Sequence, residues 1–176
     1  MPDPTAGPSL LSCGKTGFMD RRLIGRCGVY CGACEIHRAY KDSPALRVSL
    51  AQKHNCEVGD VVCEGCQQVH ARGWAGHPEW GKNCRVLKCL AQHGFRFCFE
   101  CPDYVLERCQ LHSEMCASYA LLEEDLRGNL ERIKKGESRT WLAEQDKRWR
   151  CVHCGGPIVA SHNLYRCHHC NQHPRY

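Results

Sequence analysis

Thiols are the residues in this chain that could do chemistry, and their spacing says which chemistry. The stretch Cys27 to Cys34 reads C-G-V-Y-C-G-A-C and sets three thiols within eight residues, close enough to share a metal. Gly28 and Gly32 each follow a cysteine, where a loop wrapping a metal must turn through backbone angles that a side chain resists. Pairs in C-x2-C spacing recur at Cys31/Cys34, Cys63/Cys66, Cys98/Cys101, Cys151/Cys154 and Cys167/Cys170, the separation at which two thiolates chelate one ion on a tight turn. The strongest signal is terminal: Cys151-Val-His-Cys154, twelve residues, then Cys167-His-His-Cys170. Two knuckles at that separation fold back as a hairpin and present four sulfurs tetrahedrally to zinc, closed to water, which makes the site structural rather than catalytic. His153, His168 and His169 lie inside the knuckles, and the chelate turn aims their side chains away from the ion.

Other chemistries find little support. Gly14-Lys15-Thr16 resembles the end of a phosphate-binding loop, but Ser9 stands where that motif needs its first glycine and no strand precedes it. No carboxylate pair, Ser/His arrangement or H-E-x-x-H stands out, and the cysteines best placed for nucleophilic work are those claimed by metal. A catalytic zinc keeps an open position, usually with histidine or carboxylate among its ligands. His37, three residues after Cys34, is a candidate for that role, and its more ordinary reading is a surface histidine on a short helix. The chain leans away from being an enzyme.

The elements that must position these thiols are short and mostly helical. Residues 1 to about 24 are rich in Pro, Gly and Ser without periodicity and read as a mobile arm. Glu35 to Lys41 reads as a short helix leading away from the first cluster. Ser43 as N-cap with Pro44 at the first helical position opens a second helix, which Asn55 stops. Trp74 and Trp80, in the loop after Cys63-Glu-Gly-Cys66, read as lids over a small core rather than base-stacking platforms. Cys84 to His93 reads as a helix stopped by Gly94, and Pro102 opens another with Cys109 near its end. Cys84, Cys89, Cys98, Cys101 and Cys109 therefore sit at the ends of short elements. Met115, Tyr119, Leu122, Leu126, Leu130 and Ile133 predict one amphipathic helix, closed by Lys134, Lys135 and Gly136. A further helix, Ser138 to Arg148, turns Trp141, Leu142, Gln145 and Trp149 inward.

Of 176 residues, 43% are apolar, but that figure counts all 17 cysteines; without them the core is thin and needs staples. Five C-x2-C pairs favour metal over a disulfide framework. No apolar run of signal-peptide length opens the sequence and no stretch approaches the length of a membrane span, which together suggest a soluble protein of a reducing cytoplasm. The formal charge of +5 counts cysteines as neutral; three four-thiolate metal sites, each about 2−, would bring it to about −1, so net charge is no argument for a nucleic-acid partner.

The run R-C-G-V-Y-C-G-A-C-E-I-H-R-A-Y, then C-E-G-C, then C-R-V-L-K-C-L-A-Q-H-G-F-R-F-C-F-E-C-P-D-Y, resembles the prokaryotic family called domain of unknown function 3795, from about Arg26 to Cys109. Its longer members look similar further on, through N-L-E-R-I-K and W-L-A-E-Q-D-K-R-W-R-C to the terminal ribbon. The resemblance implies a cysteine-rich metal-binding module without established activity, with Cys27, Cys31, Cys34, Cys63, Cys66, Cys84, Cys89, Cys98, Cys101 and Cys109 at the positions of the family pattern. Cys13, Cys56 and Cys116 fall outside it and are expected to be ordinary thiols, and the ribbon departs from the pattern where Cys170 is followed by Asn171 rather than glycine. The preferred grouping of the ten joins Cys31 and Cys34 to Cys63 and Cys66, and Cys84 or Cys89 to Cys98 and Cys101, with Cys109 left open as a further member.

The expected architecture is a small metal-stapled, mainly α, cysteine-rich unit with irregular loops over residues 25–112, a helical linker over 113–148, and a C-terminal β zinc ribbon over 149–176. Three functions compete. One is a zinc-stapled interaction or adaptor module with a protein partner, in which metal supplies folding free energy. Another is an iron-sulfur redox or accessory protein, since all-thiolate sites suit zinc and clusters alike and Cys101-Pro102 is like a ferredoxin ligand. Cys27-x3-Cys31-x2-Cys34 also matches radical S-adenosylmethionine enzymes, but 176 residues leave no room for their barrel. The third is nucleic-acid binding through the ribbon, where Lys147, Arg148, Arg150, Arg166 and Arg175 accompany Trp149, Tyr165 and Tyr176, with a solvated basic face as the simpler alternative.

Overall fold

A computed structural model describes residues 20–69, 73–160 and 167–173. Helices α1 (Glu35–Asp42) and α2 (Pro44–Lys53) meet at Ser43, whose hydroxyl accepts from the Leu46 N–H at 3.3 Å while Pro44 sits where no donor is needed. Asn55, at φ +47°, ends that run. Helix α3 (Arg85–His93) starts from Cys84 and stops at Gly94, which takes the left-handed conformation at φ +73°. Helix α4 (Pro102–Val105) is a single turn, so Cys109 does not lie near its end; it is the N-cap of α5 (Gln110–Ala120). Helices α6 (Leu126–Lys134) and α7 (Ser138–Arg148) follow.

The single helix expected from Met115 to Ile133 is two, α5 and α6. The chain turns out at Leu121 to Asp125, where Glu123 adopts φ +55°, and Asp125 restarts it, Oδ1 accepting from the Gly128 N–H at 2.9 Å. Leu122 and Leu126 are both buried, so the apolar spacing runs through the break and conceals it. Asp125→Ala should cost about 1 kcal/mol by removing this cap, seen as a lower urea midpoint at unchanged slope.

Three apolar clusters make the core. Ile24, Tyr30 and Ala33 pack with Ile133, Trp141, Leu142, Trp149, Cys151, Ile158 and Cys167. Cys27, Val86, Leu90, Cys98 and Tyr104 surround Leu130. Ile36, Ala39, Leu50, Ala51 and Val61 surround Trp74. The helices read as a linker thus supply the centre of the molecule, and the stretch read as an arm is ordered from Asp20, which caps a 3-10 turn at Arg21–Leu23 and leads into buried Ile24. Residues 1–19, including Cys13 and Lys15, lie outside the described residues.

The mainly helical, cysteine-rich fold with irregular loops is as expected, but the C-terminal β ribbon is not: among the described residues there is no strand, only isolated bridges. Each knuckle closes on itself, through Gly155 N–H to Cys151 O at 2.9 Å and Asn171 N–H to Cys167 O at 2.8 Å. The backbone leaving the first knuckle pairs with the core instead, Ile158 N–H to Trp149 O and Ala160 N–H to Ala33 O, each at 2.8 Å. Residues 161–166, between the knuckles, lie outside the described residues.

Candidate metal centres

The C-terminal sulfurs converge. Cys151, Cys154, Cys167 and Cys170 have their Sγ atoms within 4.8 Å of one another, with Cys151 3.7 Å from Cys170 and Cys154 3.5 Å from Cys167. This is the spacing of four ligands around one ion. Cys151 and Cys167 are buried in the first core cluster, while Cys154 is exposed at the rim. Against the cost of burial, the N–H groups of Cys154 and His153 and the thiols of Cys170 and Cys167 pull Cys151 down to about 6. The set is tied to the first cysteine turn by the Cys34↔Ala160 bridge and by His168 Nε2 at 3.0 Å from Asp42 Oδ1 on α1. His168 thus points away from the sulfurs, as its place in the knuckle suggests.

In the middle of the chain the fold divides the ten cysteines. Cys31 and Cys66 face each other: their mutual contact pushes the Cys31 thiol up and holds Cys66 below its usual range, Cys66 Sγ also taking the Arg26 N–H at 3.5 Å. Cys63 adjoins this pair and is pushed up to about 12 by burial and by its neighbours Cys34 and Cys66. Cys27 is raised by burial and by the approach of Cys66, Cys98 and Cys84. Cys84 therefore lies toward Cys66 and Cys27. So many thiols in one apolar place ionise only beside a positive charge, and a bound cation would reverse each upward shift and release protons.

Cys89, Cys98, Cys101 and Cys109 line a separate cavity of about 20 Å³, with Val86, Leu90, Phe95, Tyr104, Leu111 and His112 as its remaining walls. Burial, then Cys109, Cys89 and Cys101, push Cys98 up to about 12. Local structure explains the placement. Cys98 opens a 3-10 turn that hands over to Cys101, the N-cap of α4, and Cys109 Sγ accepts from the His112 N–H at 3.4 Å as the N-cap of α5. Cys34 and Cys84 hold the same N-cap position on α1 and α3, so four of the ten thiols meet the positive end of a helix dipole.

The Cys27–Cys34 loop is held from behind by side chains the sequence did not single out. His112 Nε2 donates to the Cys27 carbonyl at 3.1 Å, and Asn129 Nδ2 donates to the Gly28 carbonyl at 3.0 Å. Gly28, at φ +95°, lies so close to α6 that a Cβ would strike the Leu126 carbonyl oxygen. Tyr104 and Tyr119 were also missed; burial and nearby cysteines raise both hydroxyls. The only signal for Tyr104 was its place three residues after Cys101.

Other candidates resolve into packing. His37 is buried, not a surface residue, and its Nδ1 lies 2.9 Å from the Cys63 carbonyl. Trp74 is 1% exposed and is core, as read; Trp80 is half-buried and joins it through the ring of His77. Trp149 is 3% exposed, which removes it from any base-stacking face. Arg148 donates to the Glu123 carbonyl at 2.7 Å, and Arg150 to Asp146 at 2.7 Å. Tyr165, Arg166, Arg175 and Tyr176 lie outside the described residues. Cys56 and Cys116 are half-buried, Cys116 with its Sγ 3.4 Å from His112 Nδ1, and no disulfide joins the described cysteines.

Fold and sites together define a mainly helical, cysteine-rich protein whose thiols gather into clusters that could hold metal. The model of the family described as "Protein of unknown function (DUF3795)" matches residues 23–114, and the chain belongs to that family. The match takes in all ten middle cysteines and ends within α5, before the C-terminal knuckles. No curated protein and no solved structure matches the chain.

Proposed function

We propose that the protein is a metal-stapled, non-catalytic interaction module of a reducing cytoplasm, with zinc in the C-terminal four-cysteine site and metal on the middle cysteines. The observation that carries this reading is the convergence of Cys151, Cys154, Cys167 and Cys170 within 4.8 Å, two of them inside the core. Four thiolates fill a tetrahedral sphere and leave no position for substrate or water, so the ion's effect is on folding and on the surface the fold presents to a partner. Metal analysis of the intact protein tests it. About one zinc per chain should disappear on Cys154→Ser, whose side chain is at the rim and whose loss disturbs packing least. A folded Cys154→Ser protein with its full metal content would refute the zinc site.

A further inference from the structure

Three side chains outside the thiol clusters meet where α1 touches the second C-terminal knuckle. Asp42, His168 and His169 each bring a ligand atom, a carboxylate oxygen or a ring nitrogen, and these lie within 4.8 Å of one another. Asp42 is the last residue of α1, and the two histidines stand between Cys167 and Cys170, far along the chain. His168 Nε2 is 3.0 Å from Asp42 Oδ1. Two ligand atoms each about 2.0–2.2 Å from one zinc are roughly 3 to 3.5 Å apart. This pair therefore admits an ion with little movement.

The three groups are already positioned. The two imidazole rings lie side by side, their centroids 4.3 Å apart and their planes tilted by 37°. The His169 ring rests against Gly156, so closely that a Cβ there would strike its edge. On the other side, the Arg38 guanidinium holds Asp42 through Oδ2 at 2.9 Å and leaves Oδ1 facing the histidine. A hydrogen bond between His168 and Asp42 gives His169 no part in the cluster. It also leaves His168 incomplete: its side chain is 9% exposed, and Nδ1 has no hydrogen-bond partner among the described residues. With the proton on Nδ1, the Nε2 lone pair faces the carboxylate and repels it, a conflict that a cation between them removes.

We propose that Asp42, His168 and His169 form a second C-terminal zinc site, with three nitrogen and oxygen ligands and a water in the fourth position, which clamps α1 to the knuckle. Imidazole and carboxylate are ligands suited to zinc. Arg38 opposes a cation here, and the adjoining four-thiolate centre, about 2− with its ion, offsets that charge; in this the inference rests on the zinc reading above. A metal-bound histidine without an acceptor for its other nitrogen binds about 10–100-fold more weakly, and three ligands hold less than four. The clamp ion therefore exchanges under conditions in which the four-cysteine zinc stays.

The test uses the full chain without a histidine tag, reduced and equilibrated with micromolar free zinc. The wild type should carry one zinc per chain more than either Asp42→Asn or His169→Ala. Asp42→Asn keeps the shape of the side chain and lies outside both knuckles, so it decides the question should His169→Ala fail to fold. Cobalt added to the zinc-loaded wild type should give weak d–d absorption without the intense sulfur charge-transfer band of a thiolate site, and Asp42→Asn should lack it. Added zinc should also raise the melting temperature of the wild type and not of Asp42→Asn. Equal zinc in the wild type and Asp42→Asn, with no difference in cobalt absorption, would overturn the clamp. Cys154→Ser measured in parallel separates the two sites. Loss of a zinc there but not in Asp42→Asn overturns the clamp alone, and the reverse overturns only the four-cysteine reading.

Discussion

If the C-terminal site holds the zinc we propose, stripping it by a chelator or by Cys167→Ser is expected to abolish cooperative folding of the first core cluster rather than loosen a tail. Cys151 and Cys167 are 2% and 0% exposed and pack with Ile24, Tyr30, Trp141, Trp149 and Ile158. Removing the ion leaves four thiols in mutual contact, one of them, Cys151, already inclined to ionise, with nothing to neutralise the charge. A structural zinc site contributes about 10–16 kcal/mol of apparent binding free energy, comparable to the whole stability of a domain, about 5–15 kcal/mol. The melting temperature should fall by about 10 °C or more, and tryptophan emission should shift red as Trp141 and Trp149 meet water. A chelated, zinc-free protein that melts unchanged would show that the core alone holds the knuckles, and the stapling role would be lost.

The next largest effect is expected at Trp141, which is fully buried and ties the last helix to the first cysteine loop. Its Nε1–H donates to Asn129 Oδ1 at 2.7 Å, and the same amide donates through Nδ2 to the Gly28 carbonyl and to Glu124. Trp141→Ala should cost about 3–5 kcal/mol, mostly from the cavity left behind. Trp141→Phe should cost about 1–3 kcal/mol by leaving the Asn129 oxygen buried without its donor. Urea unfolding of the pair separates the two contributions. If Trp141→Phe costs nothing, Asn129 is a packing residue and the Gly28 loop is held by His112 and the Leu126 contact alone.

Local features were legible from the chain. Ser43-Pro44, Gly94 and the Ser138–Arg148 stripe are set by interactions within a turn or two, where spacing and capping chemistry decide, and the structure has each of them. The same locality hid the break at Leu121 to Asp125: both sides of it face one core, so periodicity continued, and only the Asp125 cap marked the restart. Trp149 was placed both in a core stripe and on a basic surface, and its burial against Gln145 and Glu124 settles which.

What the sequence determined by itself is the inventory of thiols and their pairing into knuckles, because a C-x2-C turn closes through bonds no longer than its own length. It also placed several cysteines at the ends of short elements, although Cys109, expected near the end of one helix, caps the start of the next. Only the tertiary structure decided which knuckles meet. Cys84 and Cys89 are about 1.4 helical turns apart and so face different ways, and which of them joins Cys98 and Cys101 depends on how α3 lies against α5; the structure sets Cys89 on the cavity and Cys84 toward Cys66. The C-terminal knuckles likewise lean on the Cys31–Ala33 turn through Ala160 and on α1 through His168 and Asp42, contacts across more than a hundred residues that no spacing rule encodes. Such groupings are fixed by the packing of Leu130, Trp141 and Ile158 among distant partners, and burial of that kind is not directional in sequence.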